Sequence, residues 1–145
     1  MDKNELRQAL AVMDSYKERV EALSRQVQVL RVSLEEVTMT AEALKAFKDA
    51  KEGDEIMVPV GASSYITVKV TSNKNVVVGI GGNVSVEKEI DSAIGYMDAN
   101  NAEISEAYKK TVEALNKTQE ALAELNAAVQ DGYKEIQAQS GKPIQ

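Results

Sequence analysis

The sequence predicts an α+β fold: a long antiparallel α-helical coiled-coil hairpin with a central four-stranded β segment between its helices. Three observations carry this. A heptad pattern runs over residues 3–50, a second runs over 88–138, and the patterning changes to period two over 54–87. A flexible tail at 139–145 completes what reads as one 145-residue subunit.

In the first helix, spacings of three and four residues put Leu6, Met13, Val20, Val27, Leu34 and Ala41 at a. Ala9, Tyr16, Leu23, Leu30, Val37 and Leu44 fall at d. No Gly or Pro interrupts the pattern before Gly53, which stands where a helix stop is expected. At ~1.5 Å per residue such a helix would be roughly 70 Å long.

The second helix repeats the pattern. Ile94, Asn101, Tyr108, Leu115, Leu122, Val129 and Ile136 fall at a; Ile90, Met97, Ile104, Thr111, Thr118, Leu125 and Gly132 fall at d. Asn101, Thr111 and Thr118 dilute this seam, an exchange of stability for a fixed register. Gly132 is expected to weaken the last turns by about 1 kcal/mol relative to Ala and to fray that end.

Between the helices β-branched residues alternate. Ile56, Val58 and Val60 form one run, and Ile66, Val68 and Val70 a second. Val76-Val77-Val78 with Ile80 forms a third, and Val84 with Val86 a fourth. Turn signals separate them at Gly61-Ala62-Ser63, Ser72-Asn73-Lys74-Asn75 and Gly81-Gly82-Asn83. The result is two β-hairpins, with Pro59 favouring an edge position for the first strand.

Helices of nearly equal length flanking a compact β unit can fold back on each other. Residues near 50 then pair with residues near 88, and Leu6 ends beside Ile136. Closing that intramolecular hairpin spans only a ~40-residue loop, which favours it over parallel coiled coils with other chains.

Composition restricts the chemistry. His and Cys are both zero, so there is no imidazole base, thiolate nucleophile or soft zinc ligand. No metal, cofactor or catalytic residue is expected, because the acids, including Glu35, Glu36, Glu103, Glu106, Glu113, Glu120 and Glu124, read as solvated helix faces. Net charge is −6, distributed as −1, −1 and −4 over 1–50, 51–89 and 90–145, without a basic face for nucleic acid. No run approaches the ~20 apolar residues of a membrane span. MDKNELRQAL lacks the apolar core of a signal peptide, so a cytoplasmic protein without membrane partners is expected.

About 34 residues in four short strands bury too little to stand alone. Val76 to Val78 is apolar on both faces and wants cover on both sides. Strands from several subunits completing an intersubunit β-barrel resolve this; the alternative is a sheet folded over the helix bases of a monomer. The candidate assembly residues are Ile56, Val58, Val60, Ile66, Val68, Val76, Val78, Ile80, Val84 and Val86.

Residues 52–62, EGDEIMVPVGA, resemble the helix-to-strand junction of prefoldin α-class subunits. Residues 74–88, KNVVVGIGGNVSVEK, resemble that family's second hairpin. Four strands rather than two mark the α class over the β class, and the sequence has an archaeal look. The resemblance implies an ATP-independent co-chaperone in which two α-class and four β-class prefoldin subunits join through their strands into a double β-barrel. It also implies that coiled-coil tips hold unfolded polypeptide clients for transfer to a group II chaperonin. A filament-forming relative or a scaffolding coiled coil is the alternative.

At the helix ends that carry the chain termini, the candidate client-binding residues are Leu6, Leu10, Met13, Val129, Tyr133 and Ile136. Leu10 and Tyr133 fall at e, beside the seam. Two helices cannot bury a wide apolar stripe, so part of this surface stays exposed or opens near Gly132. Leu6, Met13, Val129 and Ile136 fit a finished coiled coil equally well. Val29, Val32 and Met39 lie off the seam on the outer face of the first helix.

Other motifs dissolve on inspection. Gly79-Ile80-Gly81-Gly82 is a hairpin turn rather than a dinucleotide fingerprint, since Val84 stands where a third Gly belongs. Asn83-Val84-Ser85 and Asn116-Lys117-Thr118 match a glycosylation pattern without a secretory signal. Ser63-Ser64 has no base in reach. Ser140 to Gln145 reads as disordered.

Overall fold

A computed structural model of the chain describes residues 1–141. The element order is α1 (Lys3–Lys48), β1 (Glu55–Gly61), β2 (Ser64–Lys69), β3 (Asn75–Gly81), β4 (Val84–Glu89) and α2 (Ile90–Ser140). This is the expected helix, four strands and helix. α1 stops at Lys48 rather than 50, β4 runs to Glu89 rather than 87, and α2 covers Ile90–Ser140 rather than 88–138. Of the expected tail, Gln139 and Ser140 are the last residues of α2, and 142–145 lie outside the described residues.

The chain divides into two compact units, Met1–Arg31 with Glu106–Gln145 and Val32–Ser105. The first, the terminal unit, begins with a reciprocal cap. The Asp2 amide donates to Glu5 Oε2 at 2.9 Å, and the Glu5 amide donates to Asp2 Oδ1 at 2.8 Å. This satisfies two of the amides that a helix start leaves unpaired. Leu6, Met13 and Val129 then form a buried cluster, with Ala9, Leu10, Leu122, Leu125 and Ile136 packed on it. The contacts are antiparallel, since Met1 reaches Glu135 while Met13 shares a groove with Leu122.

The seam threonines behave differently from the expectation. Thr111 and Thr118 are buried, but their hydroxyls donate to the carbonyls of Ala107 and Ala114 in their own helix, at 2.8 and 2.7 Å. They carry no bond to α1 and so do not fix the register between the helices. Asn101, in the second unit, does. Its Nδ2 donates to Thr38 Oγ1 at 2.7 Å, a part-buried bond across the seam contributing about 1 kcal/mol.

In this hairpin unit the helices are again antiparallel, with ion pairs Lys45–Asp98 at 3.2 Å and Lys48–Asp91 at 2.7 Å. Both lysines sit in the last turn of α1 and Asp91 in the first turn of α2, the ends each charge favours. α1 ends where Asn73, in the turn between β2 and β3, donates to the carbonyls of Lys48 and Ala50 at 2.6 and 2.8 Å. That side chain does the work of a C-cap from 25 residues away. Gly53, at φ +88°, then turns the chain and donates to the Val70 carbonyl at 2.7 Å.

The strands make two separate two-stranded antiparallel sheets, β1–β2 and β3–β4. β1 pairs with β2 from Glu55↔Lys69 to Gly61↔Ser64, with a bulge between Pro59 and Gly61. β3 pairs with β4 from Asn75↔Glu89 to Gly81↔Val84, with a bulge between Gly79 and Gly81. Two-residue turns close both, Ala62-Ser63 at φ +49° and +57° and Gly82-Asn83 at +59° and +60°. Positive φ at both central residues is the turn geometry that matches strand twist. Gly79 to Gly82 is thus strand and turn, as the sequence indicates.

Candidate functional site

Two surfaces collect the residues that the sequence singles out. In the terminal unit, Leu6, Met13 and Val129 are buried, Val129 at 1% exposure, while Leu10 and Ile136 are half-buried. Only Tyr133 of the candidate set is exposed. Leu6, Met13 and Val129 therefore build the local core, and the accessible apolar surface lies beside it. Val12, which the heptad pattern leaves unmarked, is exposed and lines a shallow groove with Tyr16, Ala121, Glu124 and Leu125.

Gly132 has a role that helix propensity alone does not reveal. A Cβ there would meet the Met1 sulfur at 2.7 Å and Leu6 Cδ1 at 3.4 Å, so the missing side chain makes room for the start of α1. Met1 and Leu6 flank the Asp2–Glu5 cap as the residues of a hydrophobic staple do, and both converge on this glycine. α2 continues through it to Ser140. The Met1 ammonium donates to Glu135 Oε2 at 3.0 Å, and that hydrogen bond raises its pKa above the ordinary 8.0. The signal that sequence reading passed over is Asp2-Lys3-Asn4-Glu5 ahead of Leu6, a capping-box spacing.

In the hairpin unit, alternation puts the assembly candidates on one face, and their exposure rises toward the turns. Val78 is buried at 3% exposure, and Ile56, Val58, Val68, Val76 and Val86 are half-buried. Val60, Ile66, Ile80 and Val84 are exposed. The opposite face adds Met57, Tyr65 and Val77, which the candidate set omits. Val77 is the most open of these at 74%, the second apolar face that the Val76 to Val78 run implies. An apolar groove of about 460 Å³ continues this surface onto α1, lined by Leu44, Phe47, Ile56 and Met57 among others. Lys48 sits at the edge of the helix pair with its pKa raised by the Asp91 hydrogen bond. Among the described residues, no group of His, Cys, Asp or Glu has metal-ligand geometry, and no helix is long and apolar enough to cross a membrane.

A family model described as prefoldin subunit matches residues 16–135. This chain belongs to the prefoldin family. Among its relatives is prefoldin subunit alpha of Methanothrix thermoacetophila, 34% identical over 107 residues, covering 74% of this chain and 70% of the relative. Prefoldin subunit alpha of Methanoculleus marisnigri is 27% identical over 142 residues, covering 97% and 95%. Among solved structures, a cryo-EM structure of filamentous PFD from Methanocaldococcus jannaschii matches with TM-score 0.56 and 27% identity, over 89% of this chain and 98% of that one. The crystal structure of the prefoldin beta subunit from Thermococcus strain KS-1 matches with TM-score 0.57 at 16% identity, over 88% and 91%, a likeness of fold alone. The helix–hairpins–helix architecture is the prefoldin fold, and the relatives place the chain with the archaeal alpha subunits.

Proposed function

We propose that this chain is the α-class subunit of a cytoplasmic, ATP-independent holdase. It joins prefoldin β-class subunits through its hairpins, two α with four β. Non-native polypeptide is held at the ends of the helices that carry residues 1–13 and 129–136, for delivery to a group II chaperonin. Membership of a chaperone subunit family supports the class of function. The observation that carries the division of labour is the location of exposed apolar side chains. Met57, Val60, Tyr65, Ile66, Val77, Ile80 and Val84 are exposed on the two hairpins, an apolar set that contact with other subunits would cover. At the terminal end Val12 and Tyr133 lie open beside a thin core, suited to a weak grip that several copies reinforce by avidity.

Removing residues 1–13 and 130–145 tests this. Aggregation suppression of a denatured client should be lost while the hexamer persists in native mass spectrometry. Retained suppression by the truncated complex contradicts the proposal. The second reading, a filament-forming subunit, is favoured by the likeness to filamentous PFD. It requires this chain alone to grow into an open-ended series.

A further inference from the structure

α2 contains two glycines, Gly95 and Gly132, in contrasting surroundings. A Cβ on Gly95 would meet nothing within 4 Å. On Gly132 it would meet Met1 Sδ at 2.7 Å, Leu6 Cδ1 at 3.4 Å and Met1 Cβ at 3.6 Å. Gly132 is buried, its φ is not positive, and α2 runs through it to Ser140, so no turn asks for glycine there. The missing side chain leaves a notch at a d position of the seam, where a heptad ordinarily places a large apolar residue. α1 begins at Lys3, so the side chain that fills the notch, that of Met1, comes from outside the helix. Met1 is a removable occupant. Its side chain is unbranched and flexible and stays 25% exposed. Its ammonium donates to Glu135 Oε2 at 3.0 Å, but the Glu135 side chain is 55% exposed, so water and salt compete for the pair.

We infer that the notch over Gly132 is a binding site for one side chain of a non-native polypeptide, with Met1 as its resident placeholder. This rests on the reading that clients are held at this end of the helices, and adds which client group enters and what it displaces. The placeholder defines the ligand: an apolar side chain unbranched at Cβ, of the reach of Met or Leu, next to a positive charge. Branching at Cβ would crowd Leu6, which already stands at contact distance from the notch. The positive charge takes Glu135 over from the Met1 ammonium. Tyr133, exposed one residue on, offers apolar surface to the neighbouring client residues. Because one buried apolar side chain replaces another, little extra area leaves water, and each such contact is weak and readily reversed.

The test uses the full chain with isotope-labelled methionine methyls. The Met1 methyl reports the notch by NMR, and those of Met39 and Met57, exposed elsewhere, are internal references. Three unstructured peptides serve as probes: leucine flanked by lysines, alanine flanked by lysines, and leucine flanked by glutamates. The lysine-flanked leucine peptide should move the Met1 methyl to a solvent-exposed shift, and the alanine peptide should not. By fluorescence anisotropy the leucine peptide should bind about fivefold or more tighter than the alanine peptide. Gly132→Ala should erase that preference while raising helix content, since Ala is the better helix former. Met1→Gly, prepared by cleavage from a fusion, empties the notch and should tighten leucine-peptide binding roughly fivefold, because its competitor is gone. If Met1 served packing alone, its loss would leave binding unchanged or weaker. Glu135→Gln, at an exposed position, should bring the lysine- and glutamate-flanked peptides within about twofold of each other. An unmoved Met1 methyl, equal binding of the leucine and alanine peptides, or a leucine preference that survives Gly132→Ala overturns the notch. If the notch fails while truncation of 1–13 and 130–145 still abolishes aggregation suppression, this end of the helices holds clients by another surface. If the truncated chain also keeps suppression, both readings fall.

Discussion

The terminal unit and the hairpin unit use similar apolar residues to opposite ends. In the terminal unit Leu6, Met13 and Val129 find one another across two helices, the helix start caps itself, and Met1 fills the space over Gly132. In the hairpin unit Val70 and Val78 are buried, yet seven large apolar side chains stay open on both faces of the two sheets. One unit nearly completes itself within the chain, and the other leaves its apolar side chains uncovered there. The difference follows from geometry. Two helices share a narrow seam that a heptad can fill, whereas a two-stranded sheet has two faces and two edges and can cover only part of one face.

The largest effect expected from this contrast lies at Val129. Val129→Asp puts an unpaired charge into the terminal cluster and should cost on the order of 3 kcal/mol of local stability. Thermal melts followed by circular dichroism should show the loss, while assembly with β-class subunits is retained. The mirror experiment is Met57→Ser with Tyr65→Ser and Val77→Ser. These exposed positions should change the melt of the isolated chain by no more than about 0.5 kcal/mol, yet weaken subunit assembly by roughly tenfold or more, measured by native mass spectrometry or sedimentation.

Smaller changes sharpen the picture. Asn73→Ala removes the cap on α1 and should cost about 1 kcal/mol, with faster amide exchange in the last turn of α1. Ser63→Gly relieves a positive φ that the second hairpin meets with Gly82-Asn83, and should stabilise the first hairpin by up to about 1 kcal/mol. The smallest effect concerns the Met1 ammonium. Its folded pKa is raised by Glu135, so the stabilisation it gives is present below 8.0 and is lost as pH climbs through the raised value. Glu135→Gln should remove that alkaline loss, and amide exchange across the first turn of α1 should then no longer respond to pH there beyond the intrinsic rate.

Much of this was legible in the sequence because it is periodic. Every a and d position assigned to α1 and α2 is buried or half-buried, and the four β runs form the two expected hairpins. What escaped was contact between residues far apart in the chain. Met1 reaches Glu135, and Asn73 reaches Lys48; neither pairing has a period to betray it. Gly132 read as a weak point because propensity describes a lone helix, while its neighbours are Met1 and Leu6. The open side chains of Met57 and Tyr65 were missed because alternation was taken to mark one buried face of the first hairpin, whereas the outward face of Val77 was implied by the Val76 to Val78 run although Val77 was left out of the candidate set. Thr111 and Thr118 looked like register markers at their seam positions, but a hydroxyl can bond its own helix and these do.

The central claim, that the hairpins are an assembly surface completed by partners, is tested most directly by native mass spectrometry of the full chain mixed with a prefoldin β-class subunit. The account predicts a hexamer of two copies of this chain and four of the partner, with little chain left free. A chain that stays monomeric beside the partner, or builds an open-ended ladder of itself alone, would contradict it.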